Sequence, residues 1–295
     1  MKILLIGHGN QGKKRIKLIN KKKFKTSIYD PNIIKYKDKS LLKQEYNYVF
    51  LCCSDQFKDY YLINYSSLWK AKILIEKPLL ISHKNLKVIS SLCKKKSLYV
   101  AFNHRYDLAI QKFFSLSKKI KTKYYISFRY FNGGAAQVKQ NKWRDKGMGV
   151  IYDLFPHLYD LTFLLIQKIN FNKFRIDYKK NFENNSPDFS SITYDDKKIY
   201  INYKVSYLSW KNDFEINLYS KFVSLHLKGL IKWGKSQIEV RKRNMLGGKP
   251  NVSRLNFNGK DLSFRKETED FLSNKIYSDL NSIKNITSIF RNFKT

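Results

Sequence analysis

The chain opens Met-Lys-Ile-Leu-Leu-Ile-Gly-His-Gly-Asn-Gln-Gly. An apolar strand, Lys2–Ile6, runs straight into three glycines spaced G-x-G-x-x-G: Gly7, Gly9 and Gly12. Few short patterns restrict a fold so tightly. The first glycine permits a sharp turn out of the strand, the second lets the backbone approach a bound group, and the third lets the next helix pack against the strand. A helix expected from about Asn10 to Ile19 then points the free amides of its first turn, around Asn10 and Gln11, at whatever lies over the turn. Phosphate suits that position, and in a βαβ setting the pyrophosphate of a dinucleotide. Gly7, Gly9, Asn10, Gln11 and Gly12 are accordingly expected to bind cofactor.

The alternation continues. Thr26–Tyr29, Tyr48–Cys53, Lys72–Ile75 and Leu98–Phe102 read as further strands. Helices are expected near 55–69, from about Ser82 to Lys94, and from the fifth strand to about Ser117. Strands that are apolar throughout belong to a parallel sheet covered on both faces. The pattern changes near Lys118–Lys123. Tyr124–Phe131 is an extended aromatic run, followed by a loop with Gly133, Gly134 and the polar stretch Gln137–Asn141. A helix is expected over about Val150–Gln167. Strands follow at Lys173–Tyr178, Ser190–Tyr194, Ile199–Ser209, Asp213–Leu218, Phe222–Leu227 and Lys232–Val240. Their alternating polarity implies an antiparallel sheet with one open face. Gly247–Pro250 marks a turn, and helices near Lys266–Leu272 and Ser278–Phe293 close the chain. The expected fold is α/β: a doubly wound parallel sheet over residues 1–120, then an α/β domain with an open, mostly antiparallel sheet over residues 121–295.

The net charge is +35, from 58 basic and 23 acidic residues. Nucleic acid is the obvious partner to weigh. The excess is mostly lysine, scattered except for short runs at Lys21–Lys23 and Lys94–Lys96, and accompanies abundant Asn, Ile, Tyr and Phe. Those residues share codons rich in A and T, so coding bias accounts for the pattern and no nucleic-acid partner is expected. No apolar run approaches the ~18–20 residues of a membrane span, and Met1–Gly7 is too short for a signal-peptide core. Cys52, Cys53 and Cys93 have no metal-ligand spacing and read as reduced, partly buried thiols of a cytoplasmic protein. The five histidines form no metal-binding pattern either, so no metal is expected.

Three further places carry chemistry. Asp30 follows the second strand about twenty residues beyond the glycines, where a carboxylate accepts hydrogen bonds from an adenosine ribose and repels a 2′-phosphate. This favours NAD, with NADP as the alternative; Asp30-Pro31-Asn32 is equally turn-forming. Glu76-Lys77-Pro78 ends the fourth strand, where open α/β sheets bind ligands. Pro78 rigidifies the exit and is compatible with a cis bond. Finally, Asp153 and His157 are four apart, on one face of the 150–167 helix. A carboxylate there orients an imidazole that trades protons near neutral pH; such a pair serves equally as a surface hydrogen bond. Pro156 removes a helical hydrogen bond just before His157 and is expected to kink the helix.

Taken together these segments resemble the Gfo/Idh/MocA oxidoreductase family. The likeness is carried by the glycine turn, Glu76-Lys77-Pro78, Phe102-Asn103-His104-Arg105, Trp143-Arg144 and Gly149…Asp153…His157…Asp160, in order across about residues 1–165. The resemblance implies hydride transfer between a nicotinamide and a carbon of a sugar, cyclitol or nucleotide-sugar, with surface-glycan synthesis as one setting. It also implies a homodimer or homotetramer joined through the open sheet face. Lys77, Asp153 and His157 become the implied catalytic residues. Ser54, Glu76, Lys77, Asn103, Trp143 and Arg144 join the glycine turn and Asp30 as implied cofactor contacts, and Arg105 is a further candidate. Some positions depart from the family. Gly147-Met148-Gly149 replaces three glycines, Cys53-Ser54 replaces Thr-Pro, and Gln56 and Lys58 occupy the neighbourhood of a missing histidine. A module that binds the dinucleotide as a sensed ligand, without turnover, is the alternative function; the intact Lys77, Asp153 and His157 argue for the enzyme.

Overall fold

The computed structural model describes residues 1–20, 24–140, 145–166, 169–197 and 199–293. They pack as two units: Met1–Phe102 with Phe264–Thr287, and Asn103–Ser263 with the residues from Ser288 onward.

The first unit begins β1 (Lys2–Ile6), α1 (Asn10–Asn20), β2 (Lys25–Tyr29), β3 (Tyr48–Leu51), α2 (Asp55–Trp69), β4 (Lys72–Glu76), α3 (Leu86–Lys94) and β5 (Leu98–Ala101). Its five strands are all parallel, in the order β2-β1-β3-β4-β5. Successive residues of each strand face opposite ways. Leu4 and Ile6 join Val49, Leu51, Ile73 and Ile75 in one apolar layer, together with Leu62 and Trp69 of α2. Ile3 and Leu5 join Phe50, Leu74 and Tyr99 in the other. Both faces are covered, which is why these strands read as unbroken apolar runs. The third helix starts at Leu86, later than the expected Ser82. Residues 82–85 instead form a turn, in which the Asn85 N–H meets the Ser82 carbonyl at 3.3 Å.

The second unit begins with a 3-10 turn, Asn103–Tyr106, followed by α4 (Leu108–Ser117), β6 (Tyr124–Phe131), α5 (Ala135–Gln140) and α6 (Gly149–Leu165). Seven strands follow: β7 (Phe174–Lys180), β8 (Phe189–Asp196), β9 (Ile199–Ser206), β10 (Asp213–Ser220), β11 (Val223–Lys228), β12 (Ser236–Lys242) and β13 (Asn251–Phe257). The sheet runs β13-β12-β11-β10-β6-β9-β8-β7 and is antiparallel except where β6 and β9 pair in parallel. One face packs on α6: Phe155 crosses Tyr203 edge-on at 5.2 Å, and the Thr162 and Tyr203 hydroxyls meet at 2.6 Å. The other face is open and carries a row of tyrosines, with Tyr125 stacked on Tyr219 and tilted against Tyr200.

Two late helices, α7 (Ser263–Leu272) and α8 (Leu280–Asn292), end the chain. Phe271 and Leu272 of α7 complete the second apolar layer of the parallel sheet. The expected fold class is thus the one observed, with local differences. The expected loop at Gln137–Asn141 is instead helix α5 as far as Gln140; Asn141 lies outside the described residues, as do Lys21–Lys23 and Gln167. Gly133 and Gly134 mask its start, which the Asn132 carboxamide oxygen organises by accepting the Gly134 N–H at 2.9 Å. The twelfth strand begins at Ser236, not Lys232, because Ile231–Trp233 forms a 3-10 turn. Strand β13 was not expected. It is an exposed edge strand that pairs through backbone and buries no apolar stripe for a pattern to reveal. The packing division also differs from one at 120/121. Residues 264–287 return to the first unit through their own apolar faces, and no shift in composition announces it.

Candidate active site

Parallel strands place their carboxyl ends along one sheet edge. In strand order this edge carries Asp30 after β2, Gly7 after β1, Cys52–Ser54 after β3 and Lys77 after β4. The chain adds β2 on one side of β1 and β3 on the other, and such a switch point in strand order is where open α/β sheets bind ligands.

Each glycine of the turn has its own reason. Gly7 has φ +90°, and a Cβ there would lie 2.7 Å from the Cys53 nitrogen. A Cβ on Gly12 would lie 2.1 Å from the Gly7 carbonyl oxygen, so the helix can pack this closely only without one. Gly9 is different. It is exposed, and among the described residues a Cβ would meet nothing within 4 Å. The first internal bond of α1 is Lys13 N–H to the Gly9 carbonyl, so the amides of Asn10, Gln11 and Gly12 precede the helix ladder. Open space over Gly9, amides at a helix start and exposed Asn10 and Gln11 make a cradle that fits a pyrophosphate.

Asp30 is nearly buried. Its Oδ2 accepts the His8 N–H at 2.8 Å and its Oδ1 accepts the Asn32 N–H at 3.0 Å. It therefore ties the glycine turn to the end of β2 and also makes the turn that Asp30-Pro31-Asn32 suggested. Each carboxylate oxygen keeps a second lone pair for a ribose hydroxyl. The His8 and Tyr36 rings meet edge-on at 5.0 Å. Burial, then Lys13 and Lys35, lower the His8 pKa.

The Lys77–Pro78 peptide is cis. Glu76 is occupied elsewhere: its Oε1 accepts the Arg15 Nε–H at 3.0 Å, and Arg15 also pairs with Glu267 at 2.7 Å and donates to the Thr268 hydroxyl at 2.7 Å. Arg15 is fully buried and lies 3.8 Å from the centroid of the Phe264 ring. Lys58, also buried, places its ammonium against the Asp55 carboxylate, the Glu76 carbonyl and, at 2.8 Å, the Pro78 carbonyl. Ser54 stands at the N-cap of α2.

In the second unit α6 carries Asp153 and His157 one turn apart, and the helix continues through Pro156. Asp153 Oδ2 accepts the Tyr207 hydroxyl at 3.1 Å. His157 is buried beside His104, with ring centroids 4.2 Å apart. His104 Nε2 lies 3.5 Å from the Lys232 ammonium, which donates to the Tyr130 hydroxyl at 3.2 Å. Burial, reinforced by Asp153, pushes the Tyr130 phenol well above its usual range, so it stays protonated. One further turn along α6, Asp160 accepts Arg105 Nε–H at 2.7 Å. Burial raises the Asp160 carboxyl although Arg105 pulls it down. Asn103 donates to the Ser263 hydroxyl at 3.3 Å. Trp143 and Arg144 lie outside the described residues.

No family profile and no curated protein sequence matches the chain. Solved structures do. UDP-N-acetylglucosamine 3-dehydrogenase from Acidithiobacillus ferrooxidans superposes with a TM-score of 0.78 at 15% identity, over 99% of this chain and 96% of that one. A dehydrogenase from Clostridium difficile gives 0.71 at 19%, over 99% and 98%. An oxidoreductase from Agrobacterium radiobacter, solved with NAD+, L-tartaric acid and magnesium, gives 0.75 at 16%, over 99% and 94%. The chain has the Gfo/Idh/MocA fold.

Within this Gfo/Idh/MocA fold several side chains at the candidate site escaped the sequence reading. His104 belongs to Phe102-Asn103-His104-Arg105, but nothing in that local pattern sets it apart from a structural histidine. Tyr130, Tyr207 and Lys232 carried no local signal, because they reach His104 and Asp153 from β6, the end of β9 and the Ile231–Trp233 turn. Lys58 was visible only as a departure. Burial raises all three thiols, Cys53 to about 12 and Cys93 to about 11, so they stay protonated at neutral pH. Among the described residues no cluster of three His, Cys, Asp or Glu side chains is arranged to hold a metal, and no helix is long and apolar enough to cross a membrane.

Proposed function

We propose that the protein is an NAD(P)-dependent dehydrogenase or reductase acting on a secondary alcohol or carbonyl of a sugar, cyclitol or nucleotide-sugar. The observation that carries this reading is the glycine turn. Two of its glycines are demanded by the protein's own packing, whereas no described residue demands Gly9, which leaves room for a ligand. Gly7, Gly9, Asn10, Gln11 and Gly12 would hold the pyrophosphate and Asp30 the adenosine ribose. Ser54, Asn103, Trp143 and Arg144 are proposed around the rest of the cofactor. Glu76 would act from behind, its carboxylate turned to Arg15. When bound, the nicotinamide supplies the hydride acceptor or donor.

The chain's own residues would handle the proton. In the oxidative direction His157 takes the hydroxyl proton, and Lys77 hydrogen-bonds the reacting oxygen as charge develops on it. Asp153, steadied by the Tyr207 hydroxyl, orients substrate and imidazole. The buried His104 and protonated Tyr130 shield His157 from bulk water on one side. The nucleotide-sugar named for one structural neighbour makes that substrate class the first to test. Assembly as a homodimer or homotetramer through the open sheet is part of the proposal, supported by its exposed Tyr125, Tyr200 and Tyr219. A cytoplasmic setting is likewise proposed, in keeping with three unpaired thiols.

Gly9→Ala is the direct test. The new methyl meets no atom of the described residues within 4 Å, so the melting temperature should hold. NADH affinity, followed by fluorescence titration, should fall by about tenfold or more as the methyl enters the phosphate cradle. Unchanged affinity, or no binding of NADH and NADPH by the unaltered protein, would sink the reading.

A further inference from the structure

We propose that Lys58 is a positioning residue for Lys77, a buried cation that fixes the backbone on both sides of it. This rests on the reading of Lys77 as the group at the reacting oxygen.

Lys58 lies one turn into α2, whose Leu62 and Trp69 are anchored in the apolar layer beneath the sheet. An ammonium has three donors, and all three are used: on the Asp55 carboxylate, the Glu76 carbonyl and the Pro78 carbonyl. The two carbonyls belong to the residues flanking Lys77. One point on a core-anchored helix therefore grips the main chain before and after the proposed catalytic lysine. From its other side Glu76 is held by Arg15 through its carboxylate, so α1 and α2 fix the same residue by different atoms. The segment continues under the same control. Asn85, itself buried, donates to Asp59 of α2 and to the Leu80 carbonyl.

A buried cation is expensive unless fully hydrogen-bonded. Simple helix–strand packing would call for an apolar residue at this place. What the charge adds is a three-point directional hold on a strand exit, and catalysis is sensitive to displacements near 1 Å at such a place. The Asp55 side chain is 28% exposed, so water can take over its solvation when Lys58 is replaced. Lys58→Met is accordingly expected to fold.

The experiment compares the unaltered protein with Lys58→Met and Lys58→Arg, each checked for a cooperative melt. Site-resolved acetylation by acetic anhydride reads the freedom of the Lys77 amine without any need for turnover, using distant surface lysines as reference. In Lys58→Met, Lys77 acetylation should change by about fivefold or more, while NADH affinity stays within about threefold. On the substrate found by screening, kcat should fall by about thirtyfold or more with KM for NAD little changed. Lys58→Arg, which keeps the cation, should recover most of both. Unchanged Lys77 acetylation in folded Lys58→Met overturns the inference, as does an unchanged kcat. If Lys58→Met fails to fold, Lys58→Arg and Lys58→Gln decide: the cation should preserve Lys77 acetylation and the neutral amide should not, and equal behaviour overturns it. If the unaltered protein binds no nicotinamide nucleotide, the dehydrogenase reading fails by itself; the acetylation comparison still reports on Lys58.

Discussion

Replacing Arg15 by Met should be among the most damaging single changes outside the site. The guanidinium is fully buried between Glu267, which is also fully buried, and Glu76, whose side chain is 15% exposed. Burial opposes its charge, yet the two carboxylates outweigh that and hold its pKa above the usual value. Met fills much of the volume but leaves the fully buried Glu267 carboxylate facing Glu76 with no cation between them. Removing one partner of a buried ionic group costs about 3–5 kcal/mol. For a domain of this size that lowers the melting temperature by roughly 6–20 °C. The loss should depend on pH, and the sign follows from Glu267. Burial raises its folded pKa above the ordinary value even against the pull of Arg15. A group raised in this way contributes stability that is complete below its ordinary pKa and lost as pH rises through the folded one. Without Arg15 the folded pKa climbs further, so the penalty of Arg15→Met should be larger near pH 8 than near pH 5. Circular dichroism melts of both proteins at the two pH values measure it directly. A melting point within about 2 °C of the unaltered protein near pH 8, or an equal loss at both pH values, would refute the reasoning. Glu267→Met in the Arg15→Met background should recover part of the stability.

Two further outcomes are expected. Asp107 caps α4 by accepting the Ala109 and Ile110 N–H groups, and its other oxygen accepts the Ile231 N–H at 3.0 Å. Asp107→Ala should therefore cost about 2 kcal/mol or more in urea denaturation, above the ~1 kcal/mol of an ordinary cap. At the proposed site, His157→Ala should lower kcat by about a hundredfold or more, whereas Tyr207→Phe, which removes one hydrogen bond to Asp153, should cost about tenfold or less. Equal effects in steady-state assays would contradict their assigned roles.

The division between what was readable and what was not follows the range of the forces involved. Strands β1 to β5 were legible because a sheet covered on both faces needs unbroken apolar runs. The glycine turn was legible because Gly7 and Gly12 answer to backbone constraints within a few residues or from one neighbouring strand, and Gly9 completes the spacing of a phosphate-binding turn. Asp153 and His157 share a helical face by spacing alone. Strand β13 was hidden, since an edge strand is held by backbone hydrogen bonds that any sequence can supply. The return of residues 264–287 to the parallel sheet was hidden as well, because Phe271 and Leu272 identify an apolar face but not its partner.

The sequence by itself determined that a strand, a phosphate-sized turn and a helix open the chain, and that an imidazole and a carboxylate share one later helix. These depend on the periodicity of backbone geometry and on steric limits near single residues. Only the tertiary structure decided that Glu76 turns to Arg15, that Lys58 holds the carbonyls around Lys77, and that His104, Tyr130 and Lys232 gather beside His157. Buried polar groups must find partners wherever the fold brings them. Those partners lie 18 residues away for Lys58, 61 for Arg15 and 128 for Lys232, beyond the reach of any local pattern.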